Sequence, residues 1–224
     1  MTVIKQTLRK PRPHQKEAIE KSIEYFEEHD RGILSMCCGS GKTLTSLWIS
    51  QRLKAKRILV LVPTLNLESQ ILKTWMEEIR ALQLPHHVIA IGSDKTIGKE
   101  HDILSTTNQD ELNQFLDSHN YSVVISTYKS NHLISNTGKE FDFAIYDEAH
   151  ETAGKQDKDA ALLLLDDECK IIKRLFVTAT PKNIKSKKGK DEVVSMNDVE
   201  LYGCLLYTSP SPRDATLSRM PSSA

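Results

Sequence analysis

The chain has 224 residues, enough for one well-buried domain and short for two of ordinary size. With 39% apolar and 27% charged residues it has the composition of a packed globular protein, which excludes a disordered or membrane-embedded chain. The 30 basic residues balance 30 acidic ones, so net charge gives no support for a strongly basic nucleic-acid binder, and any such contact must use a local patch.

Met1–Pro13 is polar and carries no apolar signal-peptide core. No apolar run reaches the roughly 20 residues that cross a bilayer, so no membrane partner is expected. From Pro13 to His29 the apolar residues Ile19, Ile23 and Phe26 recur at helical spacing, and Pro13 suits a first turn where no amide donor is needed. Short apolar runs then alternate with amphipathic stretches. Ile33–Cys37, Ile58–Val62, Val88–Ile91, Val123–Ser126, Phe141–Tyr146 and Ile171–Val177 read as strands, and Lys42–Leu53, Leu65–Leu82, Asp110–Leu116 and Asp157–Leu165 as helices. Strands and helices alternating at these lengths predict βαβ units, hence an α/β domain with a mostly parallel sheet and helices on both faces. After Pro181 the five lysines between Lys182 and Lys190 and the polar stretch after them read as an exposed linker over 182–203. Cys204–Ala224, rich in Ser, Pro and Arg, has no period that would bury a face. That segment resembles translated sequencing-adaptor sequence, or else is a native disordered tail; either way it is expected to lie outside the fold. Cys37, Cys38, Cys169 and Cys204 show no paired metal-ligand spacing, and the adjacency of the first two disfavours a structural disulfide. A reducing, cytoplasmic setting is expected.

The chemistry concentrates in two segments. Ser35–Thr43 follows a predicted strand and opens a predicted helix, the setting in which backbone amides cradle a polyphosphate. Gly39 and Gly41, with Ser40 between them, let the chain curl that closely; Lys42 is expected at the β and γ phosphates and the Thr43 hydroxyl on Mg2+. Met36 stands at the first glycine position of the usual phosphate-loop (Walker A) pattern, so the segment alone also reads as a glycine turn before an ordinary helix. The second segment, Phe143–His150, is an apolar strand ending in Asp147-Glu148-Ala149-His150. An acidic pair there lies at the sheet edge where ligands bind. Asp147 is expected to hold Mg2+ and Glu148 to polarise the water that attacks the γ-phosphate of ATP, so Lys42, Asp147 and Glu148 form the candidate catalytic set. Taken alone, an acidic pair after a strand is also a solvated loop or a helix cap.

With these two segments the chain resembles the superfamily two helicases and translocases, in particular the DEAH-bearing group that includes type III restriction-enzyme motor subunits. The resemblance runs from Pro11 to about Gly203 and implies a RecA-like P-loop NTPase domain over residues 1–181. In that family a Gln before the first strand reads adenine; Arg12-Pro13-His14-Gln15 matches, with Pro11 where many members carry Leu, which implies Arg12 and Gln15 as nucleotide contacts. Val62-Pro63-Thr64-Leu65 and Ser126-Thr127-Tyr128 resemble motifs that touch the nucleic-acid backbone, which implies Pro63, Thr64, Ser126 and Thr127 as contacts giving position and not sequence. Thr178-Ala179-Thr180 resembles the motif coupling hydrolysis to strand movement, a role that Thr178, Thr180 and His150 would share. Each auxiliary motif is weak by itself, as a helix start or a strand end. Their shared order carries the weight.

The resemblance implies ATP and Mg2+ as ligands and nucleic acid as partner, with DNA favoured over RNA. It also implies a second RecA-like domain that supplies the arginines for the transferring phosphate; Arg213 and Arg219 match no such motif, so that domain is expected to be absent here and turnover by this chain alone to be weak. A nucleotide-gated clamp that does not translocate, and an RNA helicase, are the alternatives. His86-His87 lack ligand spacing to a thiol or carboxylate and read as surface residues. Trp48 and Trp75, on helical stretches, read as packing residues.

Overall fold

In the computed structural model, residues 8–92, 98, 102–155, 162–184 and 193–209 are described. Helix α1 (Pro13–Tyr25) is followed by β1 (Arg31–Ser35), α2 (Lys42–Arg52), β2 (Arg57–Val62), α3 (Leu65–Ala81), β3 (His87–Ile91) and β4 (Leu104–Thr106). Then come α4 (Gln109–Ser118), β5 (Ser122–Thr127), α5 (Asn131–Ser135), β6 (Phe141–Asp147), β7 (Gly154–Lys155), β8 (Ile171–Thr178), β9 (Val193–Val194), α6 (Val199–Tyr202) and β10 (Cys204–Thr208). Eight strands form one sheet in the order β10-β1-β8-β6-β2-β5-β3-β4, and every pairing in it is parallel.

The unbroken apolar run of β2 follows from burial on both faces. Ile58, Val60 and Val62 join the core beneath α1, α2 and α3, with Trp48, Leu72 and Trp75. Leu59 and Leu61, pointing the other way, meet Leu112 and Leu116 of α4 and Tyr146. Both tryptophans are packing residues, as expected. The six predicted strands and the helices α1 to α4 are present with ends shifted by a few residues.

Three expectations are corrected. The predicted helix over Asp157–Leu165 falls partly on residues outside those described, and the described part is a 3-10 turn, Leu162–Leu164. Of the segment read as an exposed linker, residues 182–184 and 193–203 fold back, and 185–192 lie outside the described residues. Val193–Val194 pairs antiparallel with Gly154–Lys155, Met196 N–H donates to Lys182 O at 3.2 Å, and Val194, Met196 and Tyr202 are buried. The segment expected to be disordered from Cys204 begins with a strand. β10 pairs with β1, Tyr207 enters the core under α1, and Ser209 N–H donates to Ser35 O at 2.9 Å. Burial of Tyr207 and ladder bonds to β1 outweigh the polar composition of the neighbouring residues; residues 210–224 lie outside the described set.

One polar cluster sits inside this fold. Arg31 and Arg174 are register partners on β1 and β8, and both reach Asp166: Arg31 donates to its two oxygens at 2.9 Å and Arg174 pairs with Oδ1 at 2.7 Å. Arg174, fully buried, also donates to the carbonyls of Leu163, Ile171 and Cys169. Arg31 does the same to Leu164 and Leu201. A buried guanidinium needs all its donors met. Here five carbonyls and one carboxylate meet them, tying residues 162–171 and α6 to the sheet.

Candidate nucleotide site at the carboxyl edge of the sheet

Because every strand is parallel, all the strands of the sheet end on one edge, where ligands of open α/β sheets bind. The loop from β1 to α2 lies there. Gly39 and Gly41 take φ of +75° and +91°, a left-handed backbone favoured by glycine, and Gly41 caps α2 in that conformation. A Cβ on Gly41 would collide with the Gln15 amide nitrogen. Met36, at the position where a glycine was missing, is completely buried; its N–H donates to Thr178 O at 2.9 Å, so it continues the β1–β8 ladder and the sharp curl starts three residues later. Ser40 Oγ donates to Cys37 O at 2.6 Å, and Cys37 N–H donates to Ser209 Oγ at 2.9 Å. His14 Nε2 lies 3.0 Å from Ser40 O.

Gln15 sits below this loop, buried. Its Oε1 accepts Arg12 N–H at 3.0 Å, and its Nε2 reaches Gly41 O and Thr45 Oγ1, each at 3.2 Å. The structure thus brings Gln15 to the loop with its amide engaged by the chain, while the Arg12 side chain is exposed.

Lys42 and Thr43 open α2. Lys42 Nζ donates to Glu148 Oε1 at 2.6 Å, with Asp147 beside it at the end of β6. Burial pushes the Asp147 carboxyl up to about 6; Lys42 opposes the shift and Glu148 adds to it. Glu148 leaves the strand at φ +49°, rare for a residue with a side chain. That turn carries its carboxylate to Lys42 on one side and to His150 Nδ1, 3.4 Å away, on the other. His150 Nδ1 is also 3.1 Å from Thr178 Oγ1, which accepts Thr180 N–H at 3.2 Å. Lys42, Glu148, His150 and Thr178 therefore form one connected line across the ends of β1, β6 and β8.

Two strands along the same edge, a cleft of about 430 Å³ is lined by Pro63, Thr64, Leu65 and Asn66 after β2 and by Thr127 at the end of β5 with Lys129 and Ser130 after it, with Thr107 alongside. Thr64 caps α3 through its side chain, which accepts Leu67 N–H at 3.4 Å. Ser126 does not belong to this cleft. It is fully buried and its hydroxyl donates to Thr127 O at 3.2 Å, a correction to its expected surface role: position 126 still belongs to the strand interior, and the turn begins after it.

Tyr128, His14 and Ser209 were not singled out by their sequence context. Tyr128 is buried and its hydroxyl donates to Asp147 O at 2.8 Å, and burial pushes its pKa well above that of an ordinary phenol, so it stays a donor. A tyrosine beside Ser126-Thr127 was visible, but its partner lies 19 residues on.

A parallel sheet with helices on both faces, and a glycine-curled loop facing adjacent carboxylates, define a RecA-like motor domain of the helicase type. The family model for the type III restriction enzyme res subunit matches residues 8–183, and the chain belongs to that family. Among solved structures, a nuclease-deletion mutant of the Type ISP restriction-modification enzyme LlaGI, in complex with a DNA substrate mimic, is 30% identical with a TM-score of 0.78, covering 94% of this chain and 21% of that one. The ATP-dependent Type ISP restriction-modification enzyme LlaBIII bound to DNA is 29% identical with a TM-score of 0.76, over 94% and 16% of the two chains. The Hef helicase domain of Pyrococcus furiosus, 18% identical with a TM-score of 0.55 over 89% and 39%, shares the fold. This chain thus spans about a fifth or less of the first two. No curated protein matches it in sequence. Among the described residues no helix is long and apolar enough to cross a membrane.

Proposed function

We propose that this domain binds and hydrolyses ATP to drive movement along DNA, acting with a second RecA-like domain that closes on the same edge. The observation that carries the reading is the line Lys42–Glu148–His150–Thr178, which joins the phosphate loop to a carboxylate, a histidine and the end of β8 within hydrogen-bonding or ion-pairing reach. The residues fit the ligands. Positive φ at Gly39 and Gly41 turns the loop into a concave start for α2, where amides and the helix dipole favour phosphate. The Thr43 hydroxyl and Asp147 would hold Mg2+, whose remaining positions phosphate oxygens and water would fill. Mg2+ would supply charge neutralisation at the phosphates.

Lys42 has two competing anionic partners, Glu148 and the incoming phosphates. Its transfer to the phosphates releases Glu148 to accept a proton from water. The water oxygen then bonds to the γ-phosphorus as the bond to the β–γ bridging oxygen breaks, giving ADP and phosphate. His150 and Thr178, linked to Glu148, would pass the change to the end of β8 and on to Thr180. Arg12 and Gln15 would contact the adenine; Pro63, Thr64 and Thr127 would hold the DNA backbone in the cleft. DNA is favoured because the two related restriction enzymes are described on DNA or its mimic.

Two substitutions test the reading. Lys42→Ala is expected to weaken nucleotide binding by about a hundredfold or more, since it removes the ammonium group that faces the phosphates. Glu148→Gln is expected to lower turnover by about a hundredfold or more, yet to bind ATP as tightly as the parent or tighter, because Gln no longer holds Lys42 in an ion pair. Normal ATP hydrolysis by Glu148→Gln, or ATP binding without DNA-stimulated turnover in the full-length protein, would sink the proposal.

A further inference from the structure

Tyr128 lies between the two halves of this edge. Thr127, the last residue of β5, and Lys129 and Ser130 of the turn after it line the cleft, whereas Tyr128 turns inward, 4% exposed, and gives its hydroxyl to the Asp147 carbonyl at 2.8 Å. The turn Tyr128–Ser130 is a single 3-10 turn, stitched by a 3.3 Å contact between the hydroxyls of Thr127 and Ser130. A ligand seated on those hydroxyls and on Lys129 would shift the turn as a body, and the Tyr128 ring with it. At the other end, the carbonyl that Tyr128 grips begins the peptide leading into Glu148, the residue held at φ +49°. A side chain in that sparsely populated region sits where the surroundings hold it, so a small change in one hold re-aims its carboxylate. The route is separate from the one through His150 and Thr178, which leaves Glu148 on its other side.

We propose that Tyr128 is a positioning residue: occupation of the cleft after β2 and β5 by a nucleic-acid backbone is relayed through its hydroxyl to the Asp147–Glu148 peptide, setting the Glu148 carboxylate for hydrolysis. The inference rests on the ATP-driven reading above and adds the element that lets the strand switch the site on. Coupling of this kind requires that both ligands bias one element with two arrangements, a role the proposal gives to the peptide between Asp147 and Glu148.

The test is ATP turnover by the full-length protein at increasing concentrations of a linear DNA duplex. Tyr128→Phe removes one oxygen and keeps the buried ring. Nucleotide and DNA affinities are expected within about twofold of the parent, while the DNA-stimulated kcat falls about fivefold. Replacing Tyr128 with 4-aminophenylalanine, which restores an N–H donor, is expected to recover most of the stimulation. A Phe variant stimulated like the parent overturns the relay, as does one that loses DNA affinity at unchanged kcat, which would make Tyr128 part of the cleft wall. A parent protein that DNA does not stimulate overturns the proposed function first and this inference with it. Should the Phe variant not fold, hydrogen exchange on the parent decides. DNA is expected to slow exchange in 147–152 together with 127–131, and protection confined to 127–131 rejects the relay.

Discussion

Asp147 is the residue whose surroundings oppose its ordinary state. An Asp in water loses its proton near 3.8, and here burial moves that point up to about 6. Since one pH unit corresponds to about 1.4 kcal/mol, the folded chain carries a penalty of about 3 kcal/mol for the charge at neutral pH without nucleotide or metal. Below about pH 3 the carboxyl is protonated in folded and unfolded chains alike and the penalty vanishes. Between about 3 and 6 chiefly the unfolded chain ionises, so the penalty grows; above about 6 it is complete. Asp147→Asn is therefore expected to raise Tm by about 4 °C or more at pH 8 in the presence of a chelator, and to leave it unchanged at about pH 3. Scanning calorimetry at the two pH values checks this, and equal shifts at both would mean that burial is not what holds the proton. The same substitution is expected to abolish Mg2+-dependent nucleotide binding, a trade of stability for function common at sites that bury charge.

At the scale of elements, the loop ahead of α2 separates two demands on glycine. Gly39 and Gly41 both need a left-handed backbone, but a Cβ on Gly39 meets nothing within 4 Å while one on Gly41 strikes Gln15. Gly39→Ala is expected to cost about 1 kcal/mol from backbone strain alone. Gly41→Ala is expected to cost about 2 kcal/mol or more and to weaken nucleotide binding over tenfold, because Gln15 must give up its bonds to Gly41 and Thr45. Urea unfolding and titration with a fluorescent ATP analogue rank the pair; the reverse order would contradict the contact. The loop and the strands around it were legible in the sequence because local pattern dictates them: unbroken runs such as Leu59–Val62 announce burial on two faces, and Gly-x-Gly-Lys after a strand announces its turn. Strands β9 and β10 were not legible. Val193-Val194 is too short to have a period, and Cys204–Thr208 becomes a strand through partners about 170 residues away on β1. Ser126 misled for the opposite reason: a serine next to a surface turn looks exposed, yet it occupies the last inward position of β5. The bonds of Tyr128 to Asp147 and of Cys37 to Ser209 join sites that no spacing in the chain relates.

For the whole molecule, the paired arginines fix the far side of the sheet as firmly as the carboxyl edge is left open. Asp166 is itself 65% exposed, so water screens its share of the attraction and most of the stabilisation comes from the carbonyls that Arg174 satisfies. Arg174→Met keeps the bulk and strands those carbonyls, and is expected to destabilise the domain by about 2 kcal/mol, read from the urea midpoint. A change below about 0.5 kcal/mol would show that the carbonyls find other partners. The sheet order has a consequence for how such a chain becomes a working domain. Within the eight-stranded sheet, β1 comes first in chain order and lies between β8 and β10, the two that come last in it. Throughout synthesis it therefore waits with both edges unpaired, and its neighbours arrive only after more than a hundred residues of intervening chain have folded, a long-range closure of the slow kind. The glycine loop ahead of α2 hangs from that waiting strand, with Met36 bonded to β8 and Cys37 to the residue after β10. On the proposed function, a nascent chain would acquire affinity for ATP only once β8 and β10 have docked on β1, and nucleotide binding would report that this sheet is assembled.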